Sequence, residues 1–235
     1  MEDIFHFRQF SLQHRHSAMK VGTDGVLLGA WTNIRNAGTI LDVGTGTGLL
    51  ALMLAQRTHG KARIDAVEID PLAGMDARAN FASSPWPESL RLHIMPVQQF
   101  QPEYPYDLII SNPPYFTNSL LSSDPRRNSA RHTCSFSHEE LIRLAVAWLK
   151  PDARLAVILP PSVSARFVEE AACQGLYLNR QCNFRTRIHK PVHRLLMEFS
   201  GKPSIVQEEE LCLYAGDQLW TNEYNNLTGA FYLRS

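Results

Sequence analysis

The feature that most constrains this chain is the passage Leu41-Asp42-Val43-Gly44-Thr45-Gly46-Thr47-Gly48-Leu49, where one apolar run ends, glycine takes every second place, and another apolar run begins at once. Backbone without Cβ atoms can take positive φ and approach a ligand closely, and a helix starting directly afterwards offers unpaired N–H groups. This is the strand-to-helix turn of an α/β fold, and its ligand carries acceptor atoms. A dinucleotide fingerprint requires a further glycine three places after Gly46, but position 49 is leucine.

Two carboxylates refine that reading. Asp42, just ahead of Gly44, would repel a diphosphate at the turn, whereas it could accept hydrogen bonds from the ammonium of an amino acid. Glu68 follows 26 residues later, where a strand-end carboxylate can take both ribose hydroxyls. Either residue alone reads as a turn cap or a solvated strand end. With Gly44, Gly46 and Gly48, the pair predicts a nucleoside bearing an amino-acid group, as S-adenosylmethionine does.

Around this turn, short apolar runs alternate with amphipathic segments, the pattern of parallel strands joined by helices. Strands are predicted at Thr39–Asp42, Ile64–Glu68, Leu90–Met95, Asp107–Ser111 and Arg154–Leu159. Helices are predicted at Leu49–Gln56, Leu72–Ala82, Leu141–Leu149 (behind a Ser137/Glu140 capping box) and Pro161–Gln174, which Gly175 should end. Leu176–Phe184 and Val192–Phe199 read as two more strands, an antiparallel pair at the sheet edge, because only the basic segment Arg185–Lys190 separates them. At 235 residues and 44% hydrophobic content the chain suits one α/β domain. Within it, residues 1–36 form an N-terminal extension contributing to the cofactor and substrate site, 37–200 the core sheet, and 201–235 a C-terminal addition.

No apolar run approaches the length of a membrane span, and the start lacks the regions of a signal peptide, so a cytoplasmic protein without membrane association is expected. Cys134, Cys173, Cys182 and Cys212 lack paired short spacing, which speaks against a disulfide framework or zinc knuckle. His189 and His193 stand four apart, yet Pro191 between them disfavours the helix that would align them, and no metal is expected. The formal net charge is zero, which argues against a nonspecific nucleic-acid binder. However, residues 4–23, 125–138 and 171–197 contain no Asp or Glu and hold eleven of the 23 Lys and Arg. Should these stretches converge, Arg126, Arg127, Arg131, Arg187 and Lys190 would belong to a phosphate-binding rim; otherwise they are scattered solvated charge.

The strand Asp107–Ser111 stops at Asn112-Pro113-Pro114-Tyr115. Two prolines end any strand, but ligands of open α/β sheets bind at the carboxyl ends of strands, beside the point where strand order reverses. An exocyclic amine is a poor nucleophile because its lone pair is delocalised. The Asn112 side-chain oxygen and the Pro113 carbonyl can each accept one of its hydrogens, favouring a pyramidal nitrogen aimed at a methyl donor. Proline fixes φ and holds that carbonyl still, while Tyr115 offers a face on which a planar target can stack.

With these residues the chain resembles the N6-adenine methyltransferases, and more closely the bacterial enzymes that methylate adenosine 37 of a valine tRNA. The Asn112–Tyr115 motif carries the broad resemblance. The narrower one rests on Ala18-Met19-Lys20-Val21-Gly22-Thr23-Asp24-Gly25-Val26-Leu27-Leu28-Gly29-Ala30-Trp31, with Asp65–Glu68, Leu108–Ser111 and Ala230–Leu233 in support. The resemblance implies a Rossmann-like class I methyltransferase with a seven-stranded, mostly parallel sheet, an antiparallel edge strand and helices on both faces. It also implies S-adenosylmethionine as cofactor, S-adenosylhomocysteine as product, a tRNA substrate, and cofactor contacts from Lys20 and Thr23; the sequence shows no groove signature for an obligatory protein partner, and none is expected. In that family an acidic residue after the third strand reads the cofactor's adenine; Pro96 stands there in this chain, leaving Gln98 or the backbone near Val97 as the substitute. Glutamine-amide methyltransferases, acting on a translation factor, share the turn, and guanine-N2 methyltransferases, acting on rRNA, carry a phenylalanine variant of it; these are the alternative.

Overall fold

The computed structural model describes residues 4–17, 21–114, 136–216 and 218–233. Its centre is an eight-stranded sheet. In chain order these strands are β3 (Thr39–Val43), β4 (Arg63–Glu68), β5 (Leu90–Ile94), β6 (Tyr106–Ser111), β7 (Leu149–Leu159), β8 (Tyr177–Arg187), β9 (Arg194–Ser200) and β10 (Gln207–Tyr214). Across the sheet they lie β10-β8-β9-β7-β6-β3-β4-β5, so the order reverses between β3 and β6. β1 (Ile4–His6) and β2 (Ser11–Gln13) form a separate antiparallel hairpin.

The predicted strands recur with shifted ends, but the sheet differs from the expected one in two respects. It has eight strands instead of seven, because β10 pairs in parallel with β8. The antiparallel strand is also not at the edge: β9 runs against both β7 and β8, and β10 covers β8. Glu209 and Glu210 of β10 face Arg180 and Arg185 of β8 across the seam, with nitrogen–oxygen distances of 2.7 and 3.3 Å. That seam answers the missing acids of residues 171–197 with acids from a distant part of the chain.

Central strands are buried on both faces, which is why they read as continuous apolar runs. Ile40, Leu108 and Ile110 enter one core, Leu41 and Ile109 the other. The first core is covered by α1 (Thr23–Trp31) and α2 (Leu49–Arg57), with contributions from α3 (Pro71–Ser83) and α6 (Asn222–Thr228); the second by α4 (His138–Trp148) and α5 (Pro161–Cys173). Local chemistry fixes the helix ends. Asp70 caps α3 by accepting the Leu72 N–H, Ser137 and Glu140 close their capping box on α4, and Gly175 (φ 83°) ends α5.

Candidate active site

The carboxyl ends of β3, β4 and β6 meet at the strand-order reversal. Two hydrogen bonds from the Gly44 and Thr45 N–H groups to the Val67 carbonyl, at 2.9 and 3.1 Å, hold the glycine turn to the tip of β4. Gly44, Gly46 and Gly48 all take positive φ (73°, 58° and 88°). Their roles differ: a Cβ on Gly44 or Gly46 would stand in open space, whereas one on Gly48 would collide with the Phe81 ring of α3. The first two glycines thus leave room over the turn, and the third lets α3 pack beneath it.

Asp42 lies wholly buried under this turn. Its Oδ2 accepts from the Thr45 hydroxyl at 2.5 Å and the Ala51 N–H at 3.2 Å, while Oδ1 is buried without a hydrogen-bond partner. Burial pushes its carboxyl from the ordinary 3.8 to about 7, with the nearby negative charge of Glu68 acting in the same direction. An orphaned buried acceptor beside two open glycines fits a ligand that brings a cationic donor. Glu68 is raised too, chiefly by burial. It accepts the Gly46 N–H at 2.7 Å and the Asp70 N–H at 2.9 Å, so it braces the turn as well as lining it. Ile69, Leu72 and Met75, which follow it, are exposed and give the start of α3 an apolar rim.

Ser111, the last residue of β6, donates its hydroxyl to the Val43 carbonyl, the last residue of β3, at 2.8 Å and in full burial. This crossbar fastens together the strand tips that lead into Gly44 and Asn112. Asn112 is half-buried, Pro113 buried and Pro114 exposed. The His138 ring, at the start of α4, donates to the Pro114 carbonyl and stands edge-on to Phe167 at 5.5 Å; burial holds its imidazole below the usual histidine range. Sequence reasoning overlooked Ser111 and His138. A serine ending a buried strand and a histidine opening a capped helix carry no signal until the strand order is known.

Thr23 opens α1 and is exposed, and the neighbouring Asp24 pairs with Arg194 at 2.7 Å. Gln98 belongs to the 3-10 turn Val97–Gln99 after β5, which Pro96 precedes, and the Gln98 amide donates to Glu140 at 3.3 Å. Arg187 and Lys190 sit at the β8–β9 turn; Arg187 donates to the Gly216 carbonyl at 2.9 Å, and Lys190 is exposed. Because β8 runs parallel to β10 and antiparallel to β9, which itself opposes β7, this turn lies at the same sheet edge as Asn112. Arg180 does not join them: it stacks over Trp31 at 4.0 Å and pairs with Glu198 and Glu209. Lys20, Tyr115, Arg126, Arg127 and Arg131 lie outside the described residues.

Residues 16–172 match the family described as Methyltransferase small domain. The fold is shared with a predicted O-methyltransferase from Agrobacterium tumefaciens (TM-score 0.67, 18% identity, 88% of this chain and 96% of that one). It is also shared with the glycopeptide N-methyltransferase MtfA in complex with S-adenosylmethionine (TM-score 0.56, 13% identity, 77% and 99% covered). Much nearer in sequence is the tRNA1(Val) (adenine(37)-N6)-methyltransferase of Tolumonas auensis, 44% identical over 98% of this chain and 97% of its own length. Its counterpart in Pseudoalteromonas translucida is 42% identical over 98% of both. With identity of this order spread over nearly the whole of both chains, this chain belongs to the tRNA1(Val) (adenine(37)-N6)-methyltransferase family.

Proposed function

We infer that this chain transfers a methyl group from S-adenosylmethionine to the exocyclic N6 of adenosine 37 in tRNA1(Val), leaving S-adenosylhomocysteine. The single observation that carries this reading is the Ser111–Val43 crossbar, which sets a turn suited to an amino-acid-bearing nucleoside beside one suited to a planar NH2. The named relatives specify the nucleotide.

In this reading Asp42, through its unpartnered oxygen, and the backbone of Gly44, Gly46 and Gly48 hold the amino-acid end of the cofactor. Glu68 takes the ribose hydroxyls, Ile69 offers its apolar surface to the purine, Gln98 or the backbone near it reads the adenine edge, and Lys20 and Thr23 close the methionine end. When bound, the cofactor supplies an electrophilic methyl on a sulfonium that is its own leaving group. Asn112 and the Pro113 carbonyl accept the two N–H bonds of the target amine, which localises the nitrogen lone pair for in-line attack. After transfer the surplus proton on the nitrogen is already hydrogen-bonded to these acceptors and passes from them to water. His138 holds the turn through the Pro114 carbonyl, and Tyr115 stacks on the base.

Bases near an anticodon are unpaired or easily splayed, which satisfies the need to bring an exocyclic amine into a cleft. Lys190 and Arg187, with Arg126, Arg127 and Arg131, contact the RNA backbone in this scheme, and a tRNA substrate supports a cytoplasmic location. Among the described residues no helix is long and apolar enough to cross a membrane. The test is to incubate the protein with labelled cofactor and tRNA from cells lacking this enzyme, then digest to nucleosides. Label is expected in N6-methyladenosine of tRNA1(Val) at position 37; label in guanine, in protein or nowhere overturns the inference.

A further inference from the structure

Residues 13–17, from the last residue of β2 onward, are strapped to α3 by two buried polar residues that have no part in the chemistry above. Asp76 and Asn80 stand one helical turn apart on α3, with 3% and 0% of their surface exposed. Asp76 accepts from the strap three times: its Oδ2 from the His16 and Ser17 N–H groups, each at 2.9 Å, and its Oδ1 from His16 Nδ1 at 2.9 Å. Asn80 accepts the Gln13 N–H at 2.7 Å and donates to the Gln13 carbonyl at 2.9 Å. Its amide also donates to the Thr47 carbonyl in the glycine turn, again at 2.9 Å.

We propose that Asp76 and Asn80 are positioning residues that couple the strap, residues 13–17, to the cofactor-binding turn. The physical link is the planar amide of Asn80. Gln13 fixes its oxygen, and this aims the nitrogen at Thr47. Thr47 lies between Gly46 and Gly48, both at positive φ, in a stretch of backbone that is costly to order because glycine has so much freedom to lose. Holding the Thr47 carbonyl therefore prepays part of the ordering that cofactor binding demands, and Asp76 keeps the strap in register so that Gln13 stays in place. Coupling is reciprocal: a ligand that orders the turn must also tighten the strap.

This proposal rests on the cofactor reading of the turn, and its test separates the two. S-adenosylhomocysteine is titrated by calorimetry into the wild type, Asp76→Ala, Asp76→Asn and Asn80→Ser, with melting temperature and steady-state constants measured in parallel. Affinity and the cofactor KM should worsen roughly tenfold in Asp76→Ala and Asn80→Ser, with kcat at saturating cofactor within about threefold of wild type. Asp76→Asn keeps one carbonyl oxygen for the strap and should recover most of the loss. In the wild type, S-adenosylhomocysteine should slow hydrogen exchange at the Gln13, His16 and Ser17 amides.

Failure of the wild type to bind S-adenosylhomocysteine would sink the cofactor reading itself. Binding by the wild type with unchanged affinity in variants that merely melt earlier would overturn only the coupling. Should the alanine and serine variants fail to fold, the exchange experiment on the wild type decides alone, and unchanged protection of the strap on ligand addition refutes the proposal.

Discussion

Protonation of Asp42 should make cofactor affinity depend on pH near neutrality. With its carboxyl raised to about 7 and Oδ1 unpartnered, the group in the free protein is about one-tenth ionised at pH 6 and half ionised at pH 7. If the ammonium of the ligand binds only the carboxylate, the dissociation constant is multiplied by the inverse of that fraction. Affinity should therefore improve about fivefold between pH 6 and 7, roughly 1 kcal/mol, while an α-amino group (ordinary value about 7.7–8.0) stays charged. The sign for stability is opposite. A folded value above the unfolded 3.8 means that the native state holds a proton the unfolded chain releases. The ligand-free protein accordingly loses stability from this group as pH climbs from about 4 to 7, by up to about 4 kcal/mol in all. Calorimetry with S-adenosylhomocysteine in buffers of different ionisation enthalpy should register proton release near pH 6.5 and none in Asp42→Asn. A flat affinity profile between pH 6 and 7 in the wild type, or the same slope in Asp42→Asn, would refute the reasoning. Glu68→Gln is the needed control, since Glu68 is also raised and contributes to the Asp42 shift.

Asn112→Ala should reduce the single-turnover rate on tRNA by roughly a hundredfold or more while leaving S-adenosylhomocysteine affinity nearly intact, as expected for an acceptor used in the transition state. Gly48→Ala places a side chain at φ 88° against the Phe81 ring and should cost about 2–4 kcal/mol in urea unfolding, against under about 1 kcal/mol for the same change on the open side in a glycine without positive φ, such as Gly201. Lys190→Ala should lower the slope of log affinity for tRNA against log salt by about one, whereas Arg180→Ala, which loses its stack on Trp31 and its pairs with Glu198 and Glu209, should lower the melting temperature and leave that slope alone. Equal slopes for Lys190→Ala and the wild type would remove Lys190 from the RNA-binding surface.

How far the sequence could be read depended on whether a residue's partner was near or far along the chain. β3 and β6 were evident because burial on both faces leaves apolar runs, β4 because Ile64, Ala66 and Val67 outweigh the buried Asp65 among them, and α3 to α5 because their caps are local. α1 was not recognised as a helix. Its Thr23–Trp31 segment is apolar all round and carries two glycines, with no periodicity to reveal it. Those glycines have a tertiary reason, for a Cβ on Gly25 or Gly29 would meet Leu49 or Met53 of α2 within 2.9 Å. β10 was missed because three successive glutamates argue against a strand until Arg180 and Arg185 are known to lie opposite. The site followed the same rule. Asp42, Glu68 and the glycines announce themselves through spacing, whereas Ser111, His138, Asp76 and Asn80 act only through partners from 24 to 68 positions away.

The one reversed strand has a consequence for how such an enzyme can change. Had β9 followed its neighbours' direction, the link from β8 would have had to cross back over the sheet, and its ends would have been committed to a helix packed on one face. Running backwards, β9 needs only a short reverse turn, displayed at the carboxyl edge of the parallel strands, and residues 188–193 of that turn enter neither core. On the proposed function, residues inserted or exchanged between Arg187 and Arg194 therefore alter how the RNA is gripped while the glycine turn, built from other strands, stays as it is.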